Sequence, residues 1–175
     1  VMVGEIRDTE TEEIAIRASL TGHLVLSTIH TNDAISAVSR LTDMGIEPFL
    51  ISSSLVCVVA QRLIRLVCRD CAQEVPATER EKDIFANRGL DIESVRRGKG
   101  CPTCGRTGYR GRTAIHEVLV IDSKIREMIS NLRPVGDMRR YVQEKNMKFL
   151  LDDGLLKVKK GLTTTEEVLR VAVLE

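Results

Sequence analysis

The chain has 175 residues, enough for one domain of ordinary size or one domain carrying a small insert. Lys and Arg number 26 against 25 Asp and Glu, a net charge of +1 that gives no footprint for nucleic acid, and aromatics at 3% leave no platform for stacking single strands. The longest apolar run, Leu55 to Ala60, is too short to span a bilayer, and no secretory leader is read.

Val1-Met2-Val3 reads as a short buried strand ending at Gly4, and the chain looks cut through that strand. Glu10 to Leu20 reads as a helix with Thr9 as N-cap and Glu12 at capping-box spacing, stopped by Thr21-Gly22. Leu24 to Thr28 reads as a second strand. Asn32 and Asp33 offer caps for a helix to about Asp43, stopped by Gly45. Pro48 opens a further helix expected to run to about Val59, and Leu63 to Val67 reads as a strand. The alternation of strand and helix predicts parallel α/β architecture.

Cys68 to Arg112 is rich in Arg, Gly and Asp and reads as an insert, followed by a strand from Thr113 to Ile121. Four helices are expected after it. Ile125, Met128, Ile129 and Leu132 mark the first, and Met138, Tyr141, Val142 and Lys145 the second. Phe149 to Lys160 and Thr165 to Leu174 complete the set. The predicted segments are 1–66, 67–112 and 113–175.

Four of the five cysteines form two pairs, Cys68-x2-Cys71 and Cys101-x2-Cys104, separated by 29 residues. Two residues between thiolates let one tight turn aim both sulfurs at one ion, and two such turns complete a tetrahedron, the geometry Zn²⁺ prefers. Four sulfur ligands leave no position for water, so the predicted role is structural. Disulfides fit poorly with the odd cysteine count and the missing leader, which point to a reducing cytosol, and a redox pair needs no second copy. Cys57 is expected in the core.

The strand Val1–Val3 leads to Glu5, and the strand Leu24–Thr28 leads to His30. The C-terminal edge of parallel strands is where open α/β sheets bind ligands. A carboxylate there can stand beside Mg²⁺ and an attacking water, and a histidine can sense a phosphate.

The runs VMVGEIRD and TGHLVLSTIHTND, spanning Val1 to Asp33, resemble the Walker B and histidine boxes of the secretion-superfamily ATPases. QRLIRLVCRDC with GCPTCGRTGYRGRTAIHEVLVID resembles the tetracysteine region of the type II secretion branch, and DDGLLKVKKGLTTTEEVLRV resembles its C-terminal end. Pilus-extension ATPases also carry four cysteines and are the near alternative; retraction ATPases lack this knuckle.

The resemblance implies a RecA-like P-loop ATPase fold, here truncated before Walker B, with a zinc-knuckle insert and a C-terminal helical region. It implies Glu5 as the residue that activates water, His23 and His30 as histidine-box residues, and Arg7 and Asp8 beside the catalytic strand. Thr28, Thr31, Gln61 and Arg62 would lie near the nucleotide.

It further implies ATP and Mg²⁺ as ligands of the whole protein, a homo-hexamer, and membrane-platform proteins as partners. The place would be the cytoplasm, peripheral to the bacterial inner membrane. No GxxxxGK[ST] phosphate loop occurs in these residues, so the chain is expected to be the C-terminal part of a longer ATPase and inactive alone. Two non-enzymatic readings stand beside this: a zinc-stabilised interaction module with a basic surface from Arg96 to Arg112, and a helical interaction domain after Asp122.

Overall fold

A computed structural model describes residues 1–172. By packing, the chain forms two compact units. Unit 1 comprises residues 1–60 and 117–147, and unit 2 comprises 61–116 and 148–175.

Unit 1 begins with an extended segment whose Met2 bridges Leu26 in parallel. The backbone bonds Val3 N to Leu26 O (2.9 Å), Leu26 N to Val1 O (3.0 Å) and Ile6 N to Thr28 O (2.9 Å) fix this pairing. Among the described residues it is the one parallel pairing, so the predicted parallel sheet is present only as this contact.

Helix α1 (Thr9–Leu20) follows. Its cap is Asp8, whose carboxylate accepts from Thr11 N at 2.8 Å, and not Thr9, whose hydroxyl donates to Met44 O. Helix α2 (Ala34–Asp43) has the expected Asp33 cap, which accepts from Ser36 N. Its apolar stripe of Ile35, Val38 and Leu41 is buried.

Helix α3 (Pro48–Ser54) stops well before Val59. The run Val56-Cys57-Val58-Val59 is dense in β-branched residues and enters a long strand, β1 (Cys57–Val67), which alternates exposed and half-buried residues before its buried end. Cys57 is exposed on this strand, correcting the core expectation.

The insert is more regular than its composition predicts. Strands β2 (Ala72–Pro76) and β3 (Ser94–Gly98) pair antiparallel, with Val75 opposite Val95. Between them lies helix α4 (Glu79–Ala86), capped reciprocally by Thr78 and Glu81. Strand β4 (Tyr109–Val120) starts four residues earlier than predicted and pairs with β1.

Helices α5 (Ser123–Ser130) and α6 (Val135–Glu144) return to unit 1. Helices α7 (Leu150–Lys159) and α8 (Thr165–Ala172) complete unit 2; the predicted helix end at Leu174 lies outside the described residues. Helices α7 and α8 meet closely at Gly154, where a Cβ would fall 2.4 Å from Val168 Cγ1.

Unit 2 is braced by a buried carboxylate. Glu167, 1% exposed, accepts from Arg65 N (3.0 Å), Arg65 Nη2 (2.7 Å) and Arg170. Burial alone would raise its pKa, but Arg170 and Arg65 outweigh burial and hold it at about 2. Arg65 also stacks over the Tyr109 ring at 4.2 Å, and the Tyr109 hydroxyl meets Thr164 Oγ1 at 2.7 Å.

Candidate functional site

The parallel pairing at the N-terminus brings Glu5 and His30 together. Thr28 Oγ1 donates to Gly4 O at 2.9 Å and ties the second segment to the first just before Glu5. Glu5 is largely covered, its side chain 19% exposed, and Oε1 lies 2.5 Å from His30 Nε2. Its other oxygen, Oε2, pairs with Arg7 Nε at 2.5 Å. The imidazole and guanidinium remain open to solvent. A carboxylate placed this way can accept a proton from water, while the open imidazole and guanidinium can face an anion beside it.

The other residues predicted from sequence are distributed differently. Thr31 Oγ1 donates to Asp33 O at 3.2 Å, at the entry to α2. The Asp33 carboxylate also pairs with Arg139 at 2.6 Å; burial opposes ionisation there, but Ser36 and Arg139 hold its pKa below the usual range. His23 turns its Nδ1 to Thr21 Oγ1 (3.1 Å) and Ala18 O (3.3 Å), at the C-terminal end of α1. Gln61 and Arg62 lie on β1 in unit 2.

Sequence reading missed Glu117. It is 3% exposed and accepts from Ala34 N at 3.1 Å, in the first turn of α2. The signal was present: Glu117 falls in step with Ile115 and Leu119 on the buried face of β4, where a carboxylate needs a partner.

The four paired cysteines converge in unit 2. Their sulfurs all lie within 4.8 Å of one another, and the four thiols can hold a metal ion. Cys68 to Cys101 and Cys71 to Cys104 are 3.9 Å apart, and Cys101 to Cys104 is 3.7 Å. Thiolates at about 2.3 Å in a tetrahedron stand about 3.8 Å apart, so these distances match such a site.

Backbone amides supply the outer layer, with Cys101 N and Gly108 N donating to Cys104 Sγ at 3.2 and 3.3 Å. Chiefly through the Cys101 amide, the Cys104 thiol is lowered to about 6, while burial and the neighbouring thiols push Cys71 up to about 12. Four thiols this close cannot all ionise without a cation among them, and a divalent ion removes that opposition.

Close backbone approach builds the knuckle. Gly108 has φ +78°, and a Cβ there would stand 2.6 Å from Gly98 O; a Cβ at Gly98 would stand 2.2 Å from Gly108 O.

Fold and site together define an α/β protein with a thiolate knuckle and a paired acid and imidazole at the end of parallel segments. The family model described as "Type II/IV secretion system protein" matches residues 1–170, and the chain belongs to that family. It is 50% identical over 98% of its length to the Type II secretion system ATPase E of Vibrio cholerae, and 52% identical over 98% to the Type II secretion system protein E of Aeromonas hydrophila. It covers 34% of each, so it spans about a third of these curated relatives.

The Type IV pilus assembly ATPase PilB of Thermus thermophilus is 48% identical over 97% of the chain, which covers 19% of it. The fold is shared with the Legionella pneumophila ATPase DotB, at a TM-score of 0.64 and 21% identity, over 98% of this chain and 38% of that one. The pilus retraction motor PilT with bound ADP has the same TM-score at 24% identity, over 97% and 38%.

Proposed function

We propose that the chain is the C-terminal portion of a hexameric cytoplasmic ATPase that powers type II protein secretion at the inner membrane. The observation that carries this reading is the Glu5–His30 contact on adjacent parallel segments, in a chain half identical to a type II secretion ATPase.

In this reading Glu5 takes a proton from the attacking water, and His30 and Arg7 sit on its two oxygens to register the γ-phosphate and the loss of charge after hydrolysis. Thr28 holds the second segment in register, and Thr31 orders the turn into α2. His23 closes the C-terminal end of α1 through Thr21 and Ala18, just before the second segment. Gln61 and Arg62 would face nucleotide only in the assembled protein.

Residues 1–66 then carry catalysis, 67–112 the metal knuckle and 113–175 the closing strand and helices. The chain lacks a phosphate loop and is inactive alone; the phosphates and Mg²⁺ are held mainly by residues outside it. The knuckle cysteines would bind structural Zn²⁺, which supplies a cross-link and no chemistry. Among the described residues no helix is long and apolar enough to cross a membrane, which fits attachment through membrane-platform proteins.

The test is phosphate release by the full-length protein and by its Glu5→Gln variant, beside secretion in a strain lacking its own type II ATPase. Loss of hydrolysis and of secretion on substitution is expected; unchanged turnover would overturn the role of Glu5. The 48% identity to a pilus assembly ATPase favours a second reading, a pilus-extension motor. Rescue of pilus assembly, and not of secretion, would select it.

A further inference from the structure

Unit 2 contains a cavity of about 600 Å³ beside the cysteine knuckle, remote in kind from the chemistry of Glu5. Leu66, Val67 and Leu162 line it with apolar surface, and the backbone bond from Val67 N to Leu162 O (2.9 Å) fixes them together. Arg69, Arg96, Arg110 and Lys160 also line it, against a single acid, Asp70. Among the described residues Asp70 pairs with Arg110, at 3.7 Å between partly exposed groups. Arg96 lies flat across Gly161: a Cβ there would stand 2.5 Å from Arg96 Cδ. That packing limits its conformations and lowers the entropy lost when it is engaged.

We propose that this cavity is a docking site for an acidic peptide segment with an apolar anchor, contributed by a protein partner. The charge balance, four basic side chains against Asp70, favours an anionic occupant. The apolar lining argues against a bare phosphate, which would be held by converging donors and not by Leu66 and Val67. Arginine forks match carboxylates in two-bond geometry, and an apolar side chain between acids fills the lining. A concave site of this size suits a few residues of peptide better than a membrane surface, which needs protruding apolar groups.

Arg69 and Asp70 sit between Cys68 and Cys71, so the knuckle sets the position of one wall. Metal loss should therefore weaken docking along with the knuckle.

The experiment measures fluorescence anisotropy of a labelled peptide of alternating Glu and Leu residues with the full-length protein. Saturable binding is expected, weakened about tenfold or more by Arg96→Glu with Lys160→Glu and by raising salt. Arg69→Glu, an exposed substitution, should weaken it independently; Arg133→Glu in unit 1 should leave it unchanged. Equal binding by wild type and both pocket variants would overturn the proposal, as would absence of binding at millimolar peptide. Binding to phosphatidylglycerol vesicles that the same variants abolish, without peptide binding, would overturn it in favour of a lipid.

Discussion

Glu12 and Glu167 are fully buried glutamates on helices, one in each unit. Glu167 is surrounded by Arg65 and Arg170 and stays ionised, with its pKa at about 2. Among the described residues Glu12 has no hydrogen-bond partner on either oxygen, and burial pushes its pKa up to about 7. Unit 2 pairs its buried carboxylates, Glu81 with Arg97 and Thr165 and Glu167 with Arg65 and Arg170, and among the described residues leaves only Arg97 Nε buried without a partner. Unit 1 holds a carboxylate without a mate, and its Glu5 pair is open on the imidazole side. Interior polarity satisfied from within marks a self-sufficient unit; unpaired charge marks one where a local sequence choice opposes packing.

The largest test of this contrast is metal removal. Chelation, or Cys104→Ser, should release about one ion per chain and lower the melting temperature of unit 2 by more than about 10 °C, because metal binding and local folding are coupled. Metal analysis with circular dichroism would show it, and an unchanged melt would break the claim that the knuckle supports unit 2. Glu5→Gln should reduce ATP hydrolysis by the full-length protein about a hundredfold or more while leaving metal content unchanged.

The two glutamates should give opposite pH dependences. Glu167 has a folded pKa below its ordinary 4.5, so its contribution is complete above about pH 4.5 and is lost as pH falls toward 2. Glu167→Gln should cost about 3 kcal/mol at neutral pH, since it leaves Arg65 and Arg170 without their counter-charge. Glu12 has a raised pKa, so stability is greatest below about pH 4.5 and declines as pH rises through 7. Glu12→Gln should therefore stabilise unit 1 at pH 8, by up to about 3 kcal/mol, and by little at pH 4. Denaturant unfolding across this range reads both, and parallel pH profiles would remove the contrast. The smallest effect is expected from Gly154→Ala, where Val168 can shift partly out of the way, at about 1–3 kcal/mol.

Local signals made much of this readable in sequence. Asp33 before α2 announces a helix through its side-chain cap, and paired cysteines at x2 spacing announce turns whose sulfurs converge. Thr78 and Glu81 carry the same kind of signal for α4, hidden by the irregular composition around it. The error at α3 has a different source. An apolar run of a few residues fits helix or strand, and the β-branched content of Val56 to Val59 decided for strand through pairing with β4. Glu5 and His30 were legible as a pair because parallel order aligns strand ends. The burial of Glu12 was not: a capping-box glutamate and a buried one look alike until packing covers the helix face.

Cys57 stands exposed on β1, while the other four cysteines lie together in the knuckle. With a metal in place those four sulfurs are shielded from alkylation, and Cys57 becomes the natural address for a maleimide dye. A fluorophore could then be seated on the strand that leads out of unit 1 without engineering a new thiol. The same position doubles as a chemical meter of the knuckle: one label per chain when the ion is bound, up to five once it is stripped.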